Sequence, residues 1–343
     1  MQSSIDITLH EQNGAYLPGT VYLFRDAINA VFRCGIEPRQ VKSLIVHPTR
    51  RTYYTGAALE LLASDRLENF CALVTYEDNA DLIQGVVPVY LCDVPGLRSL
   101  YLGGLYPDLS SAVFSTLTTL TLGHWPTLPP RVNSEELFAA MSTWVSLEKL
   151  TLRHFLGITS FSDSTGTRRV LLPNLRRLVV EETPQRIQGL LGSLDLPRCT
   201  RVRVRADLSP DPPVRPDDAT IDFCRGFRAI LPKSGLTCFP PVLTRISVEV
   251  LTDEATLIAA SDEEGERVIL KVDGRLSEYA RDGQMGDTVF LCGVLQTLPH
   301  ILRQADLPRV RIITVKGPLR DVPDAIYLAM LGAFPGLDRF EFP

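Results

Sequence analysis

The chain has 343 residues, with 35 Lys+Arg against 40 Asp+Glu, a formal charge of −5, and 45% hydrophobic against 22% charged residues. That is the make-up of a globular protein with a sizeable core, and it argues against a disordered chain or a generally basic nucleic-acid coat. No apolar run approaches the roughly 20 residues of a spanning helix, and the first ten residues lack the basic start and apolar core of a secretory signal.

One phrase recurs: an apolar residue, two variable residues, an apolar residue, one variable residue, an apolar residue, often after a proline. In chain order, Ile5 to Leu9 alternates as a strand does, and Tyr22 to Cys34 carries Leu23, Ile28, Val31 and Phe32 at helical spacing before Gly35. A weak copy of the phrase runs from Val41 to Val46, a helix is predicted at Ala57 to Leu62, and a doubtful copy is centred on Leu73. Clear copies follow at Leu97 to Leu102 and Leu117 to Leu122. Asn133-Ser134 caps a predicted helix at Glu135 to Trp144, which leads to the copy Leu147 to Leu152. A turn-rich loop at Phe161 to Thr167 precedes the copy Leu175 to Val180 and a helix at Gln185 to Leu194. Beyond a weak copy at Cys199 to Val204, the Pro- and Asp-rich string Asp207 to Asp218 reads as a loop excursion. A helix at Ala219 to Leu231, a copy at Leu243 to Val248 and a doubtful copy on Leu270 come next. Thr288 to Gln304 is an apolar helix interrupted by Pro299. A weak copy at Val310 to Val315, a helix at Pro323 to Phe334 and a copy at Leu337 to Phe342 end the series.

Most copies lie about 20–30 residues apart, the range of leucine-rich repeats. The fourth and sixth residues of each phrase alternate toward one face, as in a strand. One such strand cannot bury its apolar face alone, but stacked neighbours form a parallel sheet with a continuous core, and each helix is a right-handed crossover. The expected fold is therefore α/β: a single irregular leucine-rich-repeat solenoid over residues 1–343, an arc with a concave parallel sheet, outer helices and a loop excursion near 207–218.

The chain resembles the leucine-rich-repeat region of fungal F-box-type proteins. The resemblance rests on Leu172-Pro173-Asn174-Leu175-Arg176-Arg177-Leu178 and Phe334-Pro335-Gly336-Leu337-Asp338-Arg339-Phe340, and it covers about Ile5 to Phe342. It implies recognition of a target protein by the repeat face and, where an F-box is present, recruitment of a ubiquitin ligase through a cullin adaptor. No convincing F-box is found; the nearest string is Leu17-Pro18-Gly19-Thr20-Val21-Tyr22-Leu23-Phe24. The usual Asn or Cys after each strand is replaced by Leu105, Trp125, Phe155 and Thr183, so the repeats should be irregular.

Phosphate-loop, dinucleotide, zinc-protease and serine-hydrolase motifs are all missing. The seven cysteines are scattered and never form a Cys-x-x-Cys pair, which suits buried thiols in a reducing cytoplasm or nucleus. His47, His124 and His154 are expected just past repeat strands, and His10 and His300 elsewhere; none carries a metal or catalytic pattern. The acids Asp253-Glu254 and Asp262-Glu263-Glu264-Gly265-Glu266 read as solvated loops. No metal, cofactor, nucleic acid or membrane is therefore expected. An enzyme with a Cys/His site assembled in space is the least favoured alternative.

Of the 35 basic residues, 30 are Arg and 5 are Lys. In Arg201-Val202-Arg203-Val204-Arg205 the valines alternate inward, which sets the three arginines on one face. Lys149, Arg153, Arg177 and Arg245 extend that basic lane, and Tyr101 shares its face. The planar guanidinium fork suits carboxylate or phosphate. The expected function is thus a protein-protein interaction module for an acidic or phosphorylated target, which the resemblance implies would serve a ubiquitin ligase; a stand-alone repeat scaffold is the alternative. Glu148, Glu181, Glu182 and Glu249 are the acids placed to neutralise the lane.

Overall fold

Wherever the apolar phrase falls on described residues, it forms a strand, and five of these strands are entered through a tight turn. The computed structural model describes residues 5–9, 30, 33–35, 37, 40–49, 67–74, 94–105, 107–123, 134–156, 169–207, 245–250, 256–261, 268–275, 291–292, 295–296, 298–299, 310–317 and 322–341. The predicted helices at 57–62 and 219–231, nearly all of 22–34 and most of 288–304 lie outside them, as do the loops at 161–167 and 208–218 and the acid clusters at 253–254 and 262–266. The chain divides into two compact units, Met1–Thr159 and Ser160–Pro343. The α/β class holds in what is described.

The first unit contains β1 (Ile5–Leu9), β2 (Val41–Thr49), β3 (Asn69–Val74), β4 (Ser99–Gly103), β5 (Thr119–Gly123) and β6 (Lys149–Arg153). They lie side by side in chain order, every neighbouring pair parallel. Leu100, Leu120 and Leu150 stand in register, as do Leu102, Leu122 and Leu152, and none exposes more than 1% of its surface. The alternate residues, Ser99, Tyr101, Thr119, Thr121 and Thr151, are half-exposed on the other face.

Two sequence expectations shift here. In β3 it is Phe70, not Leu73, that pairs with Leu44 and Leu100; Leu73 pairs with Gly103. The operative phrase is Leu67-Glu68-Asn69-Phe70-Cys71-Ala72, whose small last residue weakened its signal. His47 lies inside β2 and not beyond it, next to Pro48, where the β2–β3 register slips between Val46 and Thr49. Proline lacks the N–H a ladder needs, which accounts for the slip.

The phrase is also longer than it looks in the sequence. Val94, Trp144, Leu172, Leu196 and Phe334, each three residues before the first phrase residue, are buried. Their carbonyls accept the N–H groups of Leu97, Leu147, Leu175, Cys199 and Leu337 at 3.0–3.3 Å. The proline that follows four of them presets the turn. At the start of five strands two successive N–H groups donate to one carbonyl of the neighbouring segment, as Arg98 and Ser99 do to Glu68, Thr118 and Thr119 to Arg98, and Glu148 and Lys149 to Thr118. This staircase fixes the in-register stacking.

The length of each connection selects its structure. Between β4 and β5 there is room only for a turn and a 3-10 helix (Ala112–Thr116) that buries Val113 and Phe114. The longer β5–β6 interval holds α1 (Ser134–Met141), with Glu135 and Glu136 in its first turn, where they favour the helix dipole. Phe114 stacks on Trp144, ring centroids 5.5 Å apart.

The residue leaving the strand is left-handed in two repeats, Gly104 (φ 70) and His154 (φ 49). Gly104 donates its N–H to Gly123 O at 2.8 Å there. A Cβ in this region costs about 1–2 kcal/mol, so Gly104→Ala should lose that much stability in urea melts. Gly123→Ala should lose under about 0.5 kcal/mol, because its added Cβ meets nothing nearer than 3.8 Å.

The second unit contains β7 (Val170–Leu171), β8 (Arg177–Glu182), β9 (Leu194–Asp195), β10 (Arg201–Asp207), β11 (Arg245–Val250), β12 (Thr256–Ser261), β13 (Val268–Arg275), β14 (Ile312–Lys316) and β15 (Arg339–Glu341). β7 and β9 form a separate parallel pair; the others run in the order β8-β10-β13-β12-β11-β14-β15. α2 (Pro184–Gly192) starts at Pro184 after extended Thr183 and packs on β8 and β10 through Ile187, Leu190 and Leu191. α3 (Asp324–Ala333) buries Ile326 and Met330.

This sheet is not wholly parallel, contrary to expectation. β12, absent from the predicted elements, runs antiparallel to both β11 and β13. Its Thr256-Leu257-Ile258-Ala259-Ala260-Ser261 does not carry the Leu-x-x-Leu-x-Leu spacing that marks the other strands. The strands β11, β12 and β13 turn back on one another, so β13, not β11, is the neighbour of β10.

Candidate protein-binding face

Alternation along β8 and β10 sorts the basic residues. Leu178, Val180, Val202, Val204 and Ala206 are buried, while Arg177, Arg201 and Arg203 are exposed and Arg205 is half-buried on the opposite face. The parallel register places Arg201 directly beside Arg177, Arg203 beside Val179 and Arg205 beside Glu181. On its other side β10 pairs Arg203 with Lys271 and Arg205 with Asp273. Neighbouring strands are about 4.8 Å apart. The face therefore has two ends: Arg177, Arg201 and Arg203 at the strand starts, and Glu181 and Arg205 farther on.

The predicted site residues separate accordingly. Arg205 is already engaged, its Nη1 3.5 Å from Glu181 Oε1. Glu182, counted above among the acids beside the arginines, is on the other side of the sheet: it is fully buried and accepts a hydrogen bond from Arg186 Nη1 at 3.1 Å. Arg245 stands on β11, with β13 and β12 between it and β10. Glu249 is on that same strand, in register with Lys316.

In the first unit, Lys149 and Arg153 are exposed at the two ends of β6 and Tyr101 is half-exposed on β4. Lys149 is in register with Thr119, Arg153 with Gly123, and Tyr101 with Thr121, which itself pairs with Thr151. The face around them is mostly hydroxyl-bearing, and Glu148 lies half-exposed beside Lys149 in the chain.

Three described thiols, Cys71, Cys199 and Cys292, are held in their protonated form. Burial pushes Cys199 up to about 11, against weaker lowering by hydrogen bonds to the backbone of Arg201 and Leu178. Burial raises Cys71 and Cys292 as well. Since the thiolate is the reactive form, Cys199 should resist iodoacetamide at pH 8 in the native protein and react once unfolded, whereas exposed Cys34 should react in both states. Peptide mapping by mass spectrometry checks this. The linkage has a definite sign: a thiol raised from 9.0 to about 11 costs stability as pH climbs from 9 through 11, and none below.

Among the described residues no group of three His, Cys, Asp or Glu side chains is placed to hold a metal ion. No helix among them is long and apolar enough to cross a membrane. Comparison of the chain with protein-family models, with curated proteins and with solved structures finds no match to any of them.

Proposed function

We propose that this chain is a protein-protein interaction module built as an irregular leucine-rich-repeat solenoid, and that it recognises its target for an F-box-type ubiquitin ligase in the cytoplasm or nucleus. The nine-residue apolar phrase, its shared turn and the in-register leucines support the repeat architecture. The target segment is acidic or phosphorylated and lies across the start of β8 and β10.

One observation carries the binding reading: Arg177 and Arg201 are both exposed and side by side in adjacent strands. Like charges directly opposite one another in a sheet destabilise it. A carboxylate or phosphate between the two forks reverses that repulsion, and Arg203 is the next cation along the same face.

The test is affinity capture from cell lysate with the wild-type chain and with Arg177→Ala/Arg201→Ala/Arg203→Ala. The triple variant should lose a specific target by roughly 100-fold, and capture should weaken as salt rises. Arg205→Ala alone should capture nearly as well as wild type, since Arg205 is engaged by Glu181. Unchanged capture by the triple variant, with its thermal melt intact, sinks the binding reading. Recovery of a target without a cullin adaptor sinks the ligase link alone and leaves a stand-alone scaffold.

A further inference from the structure

The cations at the start of β8 and β10 differ from those farther along the same face. Over residues 169–207 the chain has eight arginines and four acids. Two of those acids are already taken: Glu181 stands 3.5 Å from Arg205, and buried Glu182 stands 3.1 Å from Arg186. No hydrogen bond or ion pair joins the guanidinium of Arg177 or of Arg201 to another described residue. Both are exposed and in register, one strand spacing apart, about 4.8 Å. Arg176 and Arg198, exposed at the turns that lead into these strands, add to the positive potential there.

We propose that Arg177 and Arg201 together seat one phosphorylated serine or threonine of the target, and not a run of acidic residues; the inference rests on the binding reading above. A carboxylate has one charge and two oxygens, so between two guanidinium groups it leaves one positive charge uncompensated. A phosphate monoester carries about −1.5 to −2 at pH 7 and offers three acceptor oxygens. It neutralises both arginines at once, and each planar fork donates to it in parallel.

The rest of the face favours a single phosphate with an apolar neighbour. Two residues along β8, about 6.6 Å, the same face presents half-exposed Val179 beside Arg203. Two residues farther it presents Glu181, held by Arg205. A target segment extended along β8 sets its alternate residues over these positions. The residue two places from the phosphate then lies over Val179 and is apolar. The residue four places away meets a carboxylate as well as a guanidinium, so an acid gains nothing there.

Peptide arrays probed with the labelled full chain test this. Each peptide has phosphoserine, phosphothreonine, glutamate or serine at its centre, with one flanking position fixed at a time and the others randomised. Phosphorylated centres should bind roughly tenfold or more above glutamate centres. Apolar residues should be selected two places away, and acids should not be selected four places away. Arg177→Lys/Arg201→Lys keeps both charges but removes the forks, and should weaken phosphopeptide binding roughly tenfold. Thermal melts report whether each variant is folded. Glutamate centres that bind as well as phosphorylated ones overturn the phosphate seat; if Arg177→Ala/Arg201→Ala abolishes that binding, the acidic-target reading stands without it. Absence of arginine-dependent binding at every centre overturns both.

Discussion

Leu150→Ala should lower the unfolding free energy of the first unit by about 3–4 kcal/mol. Leu150 has no exposed surface and sits in register with Leu120, in the apolar row that continues through Leu100 to Phe70. Truncation removes three carbons from water-free surroundings and leaves a cavity that rigid strand neighbours cannot fill. Urea melts followed by tryptophan fluorescence report it directly, since Trp144 is buried three residues before Leu147. Thr151→Ala is the control: its half-exposed side chain on the opposite face should matter by no more than about 0.5 kcal/mol. Equal effects at the two positions would mean that the alternation is not what holds the sheet.

The second large effect is expected at Arg186→Met. Glu182 ends β8 on the buried face and is fully enclosed, with Arg186 reaching back one helical turn to within 3.1 Å of its carboxylate. Removing the cation leaves a buried charge short of its ion-pair partner, which costs about 3 kcal/mol. Met keeps most of the volume and packing of the arginine stem, so the loss is electrostatic. Glu182→Met/Arg186→Met should then recover most of that stability, because a buried pair replaced by apolar groups is close to neutral. Chemical denaturation of the single and double variants gives both numbers; a double variant as unstable as Arg186→Met would refute the account.

Glu181 and Glu182 also mark how much of the site was legible. They are adjacent in the chain, yet one meets Arg205 on the exposed face and the other Arg186 beneath the sheet. Strand alternation already requires them to part. Which cation each one meets depends on the register of β10 and on the start of α2, which no local pattern encodes. For the same reason the arginines of β10 were placed on one face from their alternation with valine, but the pairing of Arg201 with Arg177 appeared only when the two strands were aligned.

By itself the sequence determined most of the strands, because an apolar residue at the fourth and sixth phrase positions has nowhere to go but a shared core. It also placed a helix start beside Pro323, where proline presets the backbone, and brought the helix that begins at Pro184 to within one residue of its start. Only the tertiary structure decided the order in which the strands join. The antiparallel β12, the displacement of β11 from β10 and the phase of β3 on Phe70 all follow from which backbone groups pair across the sheet. Those hydrogen bonds are made by atoms that every residue shares, so the side-chain pattern that marks a strand carries little information about its neighbour.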